Sequence, residues 1–135
     1  MTLFVDASAM VAMLLDEPEK DWFTDELDRD VDRIWSGVAR WETVVNLARV
    51  RKFDINEAEA KVDELSASFA IRIVPVSDTE SRLAIQAYAT FGKQRHPAGL
   101  NMGDCFAYAC AKAHGARLLY KGNDFEQTDM AWSGA

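Results

Sequence analysis

The sequence predicts an α/β protein in three layers, with a central, mostly parallel sheet and helices on both of its faces. Short apolar runs, which are typical of buried strands, alternate along the chain with longer segments that carry apolar residues at helical spacing. No linker, internal repeat or low-complexity segment interrupts this alternation. Strands that alternate with helices pair in parallel and are covered by those helices, so we expect a three-layer α/β/α sandwich.

The first half of the chain is predicted to contain two strands and four helices. Leu3–Val5 is a short apolar strand, and Ala7–Leu15 is an apolar helix that breaks near Pro18. A charged helix, a second strand and two further helices follow, over Lys20–Leu27, Ile34–Ser36, Ala39–Lys52 and Ile55–Ala67. The helix that begins at Ala39 is expected to face the core with three apolar residues at helical spacing, Trp41, Val45 and Ala48.

The second half of the chain is predicted to contain two strands and two helices. Ile71–Val76 is rich in β-branched residues, which favour strands. The capping box Ser77-Asp78-Thr79-Glu80 then starts a helix that ends at Phe91. The remaining elements are a basic loop, a helix that Gly115 can end, and a last strand, over Gly92–Gly99, Asn101–Ala113 and Leu118–Tyr120.

The length and composition indicate one globular domain over residues 1–135. The chain has 135 residues, of which 49% are hydrophobic and 27% are charged. No apolar run approaches the roughly 20 residues that cross a membrane, and we see no signal peptide, so we expect a cytoplasmic protein. Cys105 and Cys110 lie five residues apart on one predicted helix, which suits neither a zinc site nor a disulfide, and they are expected to be free thiols.

The net charge of −7 is concentrated at the N-terminus. Residues 1–30 carry nine acidic and two basic side chains, whereas residues 31–135 carry thirteen of each. Within the second group, residues 91–121 carry five Lys and Arg side chains against one Asp, which would attract a phosphate backbone. A solvated helix face with a loop explains this basic stretch equally well.

Four acidic residues stand where the functional groups of α/β proteins gather. Asp6 and Asp124 follow predicted strands, and Glu42 and Asp104 lie on predicted helices. Such positions can converge at the carboxyl edge of the sheet. Clustered carboxylates repel one another and stay ionised only beside a counter-charge, for which Mg²⁺ or Mn²⁺ is the usual cation. Metal ions held in this way can activate a water and stabilise phosphate charge during phosphodiester hydrolysis.

Each of these acids also has an ordinary structural explanation. Asp6 can cap the helix that follows it, and Asp104 can interact favourably with a helix dipole. Asp124 can belong to a plain turn, and Glu42 can be a solvated residue at the border of an apolar stripe. Each explanation is adequate for one residue alone, so the functional prediction depends on the four residues together.

The stretches around these acids resemble the PIN-domain family, and within it the VapC-type toxin ribonucleases of type II toxin–antitoxin pairs. They occur in the family's order and extend over nearly the whole chain. The matching stretches are Val5-Asp6-Ala7-Ser8-Ala9, Trp41-Glu42, His96-Pro97-Ala98-Gly99-Leu100-Asn101-Met102-Gly103-Asp104-Cys105 and Lys121-Gly122-Asn123-Asp124-Phe125 with Thr128-Asp129.

The resemblance implies a PIN-like fold and a metal-dependent endoribonuclease that uses Mg²⁺ or Mn²⁺. The residues that it marks as catalytic and metal-binding are Asp6, Glu42, Asp104 and Asp124, with Asp6 and Asp104 as the principal ligands. The fourth segment departs from the family's usual Thr-x-Asp-x-Asp-Phe by being one residue shorter and starting with Lys121. The fourth ligand is therefore either Asn123 or Asp124, and we favour the carboxylate. An RNA substrate, a cognate VapB-like antitoxin and a homodimer are also implied, with Trp22 and Phe23 as interface or core candidates.

Several further residues are candidates for supporting roles. Those expected to hydrogen-bond around the acids are Ser8, Asn46 and Asn123. Those expected to contact RNA phosphates, from the loop before Asp104, are Lys93, Arg95 and His96, although a structural role for His96 is equally open.

Two other functions stay open from the sequence. A receiver-like signalling module would also use an acidic Mg²⁺ site, and Lys121 after the last strand suits it, but the paired acids expected after the first strand are missing. A PIN-like scaffold that binds RNA without cutting it is the other alternative, against which the intact acidic set argues. The sequence names neither the RNA nor the antitoxin, and it leaves open whether one metal ion binds or two.

Overall fold

The computed structural model describes residues 1–30 and 32–132 of the chain. Four strands form one sheet in the order β3-β2-β1-β4, and every pairing between them is parallel. The strands are β1 (Thr2–Val5), β2 (Asp32–Ser36), β3 (Arg72–Val74) and β4 (Arg117–Leu119). The helices of the described residues are α1 (Ala7–Leu14), α2 (Lys20–Arg29), α3 (Gly37–Arg51), α4 (Ile55–Ser68), α5 (Asp78–Phe91) and α6 (Met102–Ala113).

The order of the strands places the helices on opposite faces of the sheet. The chain moves in one direction from β1 through β2 to β3, and then crosses back to β4 on the other side of β1. Because crossovers between parallel strands are right-handed, this reversal puts α1 to α4 on one face and α5 and α6 on the other. The predicted α/β/α arrangement around a parallel sheet is therefore confirmed.

The described residues share one hydrophobic core, to which all four strands contribute. In β1, which lies between β2 and β4, Leu3, Phe4 and Val5 are completely buried. This is the pattern of a parallel strand that is covered on both faces, and it explains why the strand appears in the sequence as an uninterrupted apolar run. The two cysteines, Cys105 and Cys110, are buried in this core as free thiols, as expected.

The predicted apolar stripe of α3 is wrong about Trp41, whose side chain is 62% exposed. The buried face of α3 instead contains Ala39, Thr43 and Leu47. Thr43 can be completely buried because its hydroxyl donates a hydrogen bond to the Ala39 carbonyl at 2.8 Å. The stripe therefore includes a polar residue, and a prediction that follows only large apolar side chains misplaces it.

Strand β3 is shorter than the predicted Ile71–Val76. Among the described strands it pairs with β2 alone, at the edge of the sheet, and Ile73 is 54% exposed. Pro75, which has no backbone N–H to donate to a neighbouring strand, follows the last paired residue, Val74. The next helix begins where predicted and its capping box forms, with Glu80 Oε1 accepting hydrogen bonds from the backbone N and Oγ of Ser77 at 2.7 and 2.9 Å. The β-branched content of this segment therefore does not extend the strand pairing.

The aromatic pair of α2 divides between core and surface. Phe23 is buried in the core, whereas Trp22 packs edge-on against Phe23 and Trp132, with ring centroids 5.2 and 5.6 Å away, and stays partly exposed. Of the two candidates for an interface, only Trp22 therefore reaches the surface. Among the residues that the structure describes, no helix is long and apolar enough to cross a membrane.

Candidate active site

Asp6 is positioned by the turn from β1 into α1. It is the N-cap of α1, and its carboxylate accepts hydrogen bonds from the backbone N and Oγ of Ser8 at 3.0 and 2.5 Å. The Ser8 Oγ also accepts a hydrogen bond from the backbone N of Lys121 at 2.9 Å. Ser8 therefore links Asp6 to the loop after β4, and the capping role of Asp6 is compatible with a place in the site.

Asp104 is held at the N-terminus of α6 by a reciprocal capping box with Asn101. The Asn101 Oδ1 accepts from the Asp104 backbone N at 2.9 Å, and the Asp104 Oδ2 accepts from the Asn101 backbone N at 3.1 Å. Asp104 is 9% exposed, and beyond the effect of this burial the neighbouring Asp124 carboxyl raises its pKa further. The capping box thus fixes the orientation of a buried carboxyl beside the loop after β4.

Glu42 reaches the same place from α3, because its carboxylate lies against the backbone of Gly103. A Cβ atom on residue 103 would overlap the Glu42 Oε2 and come within 2.5 Å of its Cδ. Only glycine leaves room for the carboxylate at this point. The sequence by itself does not reveal that Glu42 packs against residue 103.

Asp124 is carried by the loop after β4 and is exposed. The next residue, Phe125, is buried and packs against Tyr120 with ring centroids 5.0 Å apart, which anchors the loop. Asn123 is also exposed, and its carbonyl accepts a hydrogen bond from the Glu126 backbone N at 3.2 Å. Beyond the effect of burial, the charge of Asp124 raises the pKa values of Asp6 and Asp104, so its carboxyl lies near both, and this favours Asp124 over Asn123 as the fourth residue of the site.

The electrostatics of the cluster reflect burial first and mutual repulsion second. Burial raises the pKa of Asp6, and it raises the pKa values of Glu42 and Asp104 to about 7. The negative charge of Asp6 further raises the pKa of Glu42 and of Asp104, and the charge of Asp124 further raises those of Asp6 and Asp104. The structure therefore brings all four predicted acids into electrostatic contact.

An open cleft of about 500 Å³ gives access to three of these acids, with walls from α1, α3, α6 and the loop after β4. It lies where the strand order reverses, between β1 and β4, which is the usual binding position in an open parallel sheet. The polar and charged residues that line it are Asp6, Ser8, Glu17, Glu42, Asn46, Arg49, Asp104 and Lys121. Asn46 therefore lines the cleft, and its role in hydrogen bonding around the acids stays a prediction.

Three of the charged residues in the cleft were not among the predicted site residues. Arg49 follows Glu42 by seven positions on α3, so its helical spacing could have identified it. In the sequence, Lys121 is a departure from the family pattern that also suits a receiver-like module. Its ammonium forms ion pairs with Glu17 and with the Glu19 Oε2, the latter at 3.2 Å. Glu17 follows α1 with no local signal that would have placed it here.

The basic loop that was expected to contact RNA does not line this cleft. Lys93 and Arg95 are exposed, with the Arg95 guanidinium 5.4 Å from the centre of the Tyr88 ring. The His96 Nδ1 accepts a hydrogen bond from the Ala98 backbone N at 3.0 Å, and its ring packs edge-on against Phe91. The loop precedes α6 directly, but these contacts give His96 a structural role within it.

The donor set of the cleft fits a hard divalent cation, whose preferred ligands are carboxylate oxygens. None of the four acids takes part in an ion pair among the described residues, and the lysine of the cleft is neutralised by Glu17 and Glu19. Within residues 1–30 and 32–132, no three His, Cys, Asp or Glu side chains already surround one point closely enough to hold a metal ion. The expectation that a divalent cation binds here therefore depends on the oxygen ligands that the neighbouring carboxyl groups offer.

We expect the metal-free protein to lose stability as the pH rises from about 4 to about 7. The pKa values of Glu42 and Asp104 are raised to about 7, so in this range the folded state binds more protons than the unfolded chain, and its free energy of unfolding falls. The hydrogen bond with Arg72 lowers the pKa of Asp32, so the stability that this group contributes is lost only when the pH falls below about 4.

Thermal melts near pH 5 and pH 8, with and without Mg²⁺, measure this effect. The melting temperature should be lower at about pH 8 without metal, and Mg²⁺ should restore it, because only deprotonated carboxylates bind the ion. A melting temperature that stays constant or rises between the two pH values without metal would contradict the raised pKa values.

The fold and the site together define a class, namely the α/β proteins with a carboxylate cluster at the carboxyl edge of a parallel sheet. The family model of the PIN domain matches residues 3–130. The chain therefore belongs to the PIN-domain family, and the resemblance noted in the sequence is confirmed.

Relatives of similar length place the chain beside the VapC ribonucleases. Ribonuclease VapC30 of Mycobacterium tuberculosis is 40% identical over 135 residues, which cover 96% of each chain. A VapC ribonuclease of Rhizobium meliloti is 41% identical over 139 residues, covering 94% of this chain and 98% of the relative. The crystal structure of Mycobacterium tuberculosis VapC20, described as a sarcin–ricin-loop-cleaving toxin, shares the fold with a TM-score of 0.69 over 92% of both chains at 14% identity.

Proposed function

We propose that this protein is a metal-dependent endoribonuclease and the toxin of a type II, VapBC-like toxin–antitoxin pair. The observation that carries the proposal is the convergence of Asp6, Glu42, Asp104 and Asp124 beside one open cleft at the switch point of the sheet. The relatives named VapC ribonucleases, which match nearly the full chain, support the same assignment.

The chemistry follows from what each acid can do. When bound, Mg²⁺ or Mn²⁺ would lower the pKa of a water and neutralise charge on the scissile phosphate. Asp6 and Asp104 would be the principal ligands, since both are buried and their hydrogen bonds with Ser8 and Asn101 fix their orientation. Glu42, with a pKa raised to about 7, can accept a proton at its carboxylate near neutral pH and so act on the attacking water. Asp124 would hold a second ion or orient the water from its exposed loop.

A cleavage assay on single-stranded RNA tests the function directly. We expect cleavage with Mg²⁺ or Mn²⁺ and none with a chelator. RNA binding without cleavage under every metal condition would support the non-cutting scaffold instead. The match to the PIN-domain family leaves the receiver-like alternative without a supporting observation.

The exposed basic loop remains a proposed RNA contact outside the cleft. Replacing Lys93 and Arg95 together by alanine should weaken RNA binding and reduce the slope of log affinity against log salt by roughly 0.7 for each lost phosphate contact. The affinity for Mg²⁺ should change little, since the charges are screened over about 8 Å at physiological salt. Filter binding over a salt series measures the slope, and a slope equal to that of the wild type would exclude this path.

The partners of the protein are proposed on the same basis. We expect a cognate VapB-like antitoxin to bind over the cleft, so that co-purified antitoxin should inhibit cleavage and protect the cleft from solvent exchange. We also expect a homodimer of single-domain chains spanning residues 1–135, in the cytoplasm. Because Phe23 belongs to the core, Trp22 and the exposed Trp41 are the surface aromatics to test. Sedimentation velocity of the wild type would exclude the dimer if it showed only monomer.

A further inference from the structure

One face of α3 presents an acid, an amide and a guanidinium to the cleft in a row. Glu42, Asn46 and Arg49 are spaced by four and by three residues, so they lie on the same face of the helix, and all three line the cleft. At a rise of 1.5 Å per residue, the row extends about 10 Å from the acid cluster along the helix axis. The cleft therefore continues from the proposed cutting site toward a positively charged end.

Arg49 is oriented by its neighbour in this row. Its Nη2 donates a hydrogen bond to the Asn46 Oδ1 at 2.8 Å. No carboxylate lies within ion-pair distance of Arg49 among the residues that the structure describes. The remaining donors of its guanidinium therefore stay available to a ligand in the cleft.

Two other cations near this part of the protein are already paired with carboxylates. Arg40, earlier on α3, forms ion pairs with Glu59 and Asp63, each at 2.8 Å. Lys121, which also lines the cleft, is held by two glutamates from the segment between α1 and α2. Of the two cations that line the cleft, Arg49 is therefore the one without an anionic partner in the described structure.

A guanidinium in this position suits the backbone of an RNA strand. The acid cluster repels phosphates, so a strand that enters the cleft gains from a cation that is not already paired. The planar fork of arginine matches the oxygens of a phosphate with two parallel hydrogen bonds, which a lysine ammonium cannot reproduce. Because Asn46 already orients the Arg49 guanidinium, less side-chain conformational entropy is lost when a phosphate binds.

We propose that Arg49, oriented by Asn46, binds an RNA phosphate beyond the one that is cut, so that the strand runs along α3 from Glu42 toward Arg49. This inference rests on the proposed ribonuclease function, because it requires RNA in the cleft. It places the RNA on a different surface from the basic loop that contains Lys93 and Arg95, and the two paths are separable by mutation.

The experiment compares three variants, Arg49→Met, Arg49→Lys and Arg82→Met. Arg82 is an exposed arginine on α5 that pairs with Asp78 and does not line the cleft, so its variant makes the same change of charge elsewhere. Binding of a short single-stranded RNA is measured over a salt series in an Asp104→Asn background to prevent cutting. Cleavage constants are then measured in the otherwise wild-type chain.

For Arg49→Met we expect binding to weaken about tenfold and the salt slope to fall by roughly 0.7, the value for one phosphate contact on a single strand. KM should rise while kcat changes by less than about threefold, because the contact is made equally in the ground and transition states. Arg49→Lys should keep the salt slope and recover part of the affinity. Arg82→Met should match the wild type in every constant.

An unchanged salt slope in Arg49→Met, or an equal change in Arg82→Met, would overturn the proposal. Arg49 is exposed, and among the described residues its side chain hydrogen-bonds to Asn46 alone. Its variants should therefore melt at the wild-type temperature, which separates loss of binding from loss of fold. A wild-type protein that binds RNA but cuts none with any metal would refute the ribonuclease function, and the binding series would still decide the role of Arg49.

Discussion

Replacing Asp104 by asparagine will abolish RNA cleavage while the melting temperature of the metal-free protein stays the same or rises. The asparagine Oδ1 can still accept the hydrogen bond from the Asn101 backbone N, so the capping box survives. The substitution removes a buried negative charge that burial, Asp124 and Asp6 disfavour, and it removes a proposed metal ligand. We expect the cleavage rate to fall by roughly 100-fold or more, as when one group of a catalytic electrostatic site is lost.

The matched control is Asp78→Asn, which changes the same residue type in the first turn of α5, away from the cleft. It should leave cleavage unchanged. Rates are measured with Mg²⁺ and with Mn²⁺, and melting temperatures with a chelator present. Wild-type cleavage by the Asp104→Asn protein would show that the acids are not the catalytic site, whatever the melts show.

Replacing Gly103 by alanine will reduce RNA cleavage without lowering the melting temperature. The new Cβ would occupy the place of the Glu42 carboxylate, which must then leave the cluster. Displacing the flexible end of Glu42 costs the fold little, and alanine favours the helix by about 1 kcal/mol relative to glycine. We therefore expect the melting temperature to stay the same or to rise, while cleavage falls at least tenfold.

Gly37→Ala is the control for this prediction, because a Cβ on Gly37 at the start of α3 has nothing within 4 Å. It should cleave RNA at the wild-type rate. Glu42→Gln should reproduce the cleavage defect of Gly103→Ala, and the double variant should be no worse than either alone if both act through the Glu42 carboxylate. Full activity in Gly103→Ala would mean that the position of Glu42 against α6 is not needed for cutting.

The sequence by itself determined most of the helices and strands, because these depend on interactions between residues that are close together in the chain. The apolar run of β1, the capping box at Ser77 and the helical spacing in α6 depend on neighbouring residues, and the corresponding elements formed as predicted. The order of strands and helices then implied a parallel sheet. Since the carboxyl ends of parallel strands meet at one edge, the sequence also indicated that Asp6 and Asp124 would approach each other there.

Long-range packing decided what only the tertiary structure shows. The exposure of Trp41 depends on a buried stripe that includes Thr43, whose burial requires a specific hydrogen bond. The fit of Glu42 against Gly103 joins residues of α3 and α6 that lie far apart in the chain. The segment between α1 and α2 folds back onto Lys121, whose charge its two glutamates neutralise, and Arg49 is left as the unpaired cation of the cleft in the described structure. These contacts depend on how separate elements dock, and no local pattern encodes that geometry.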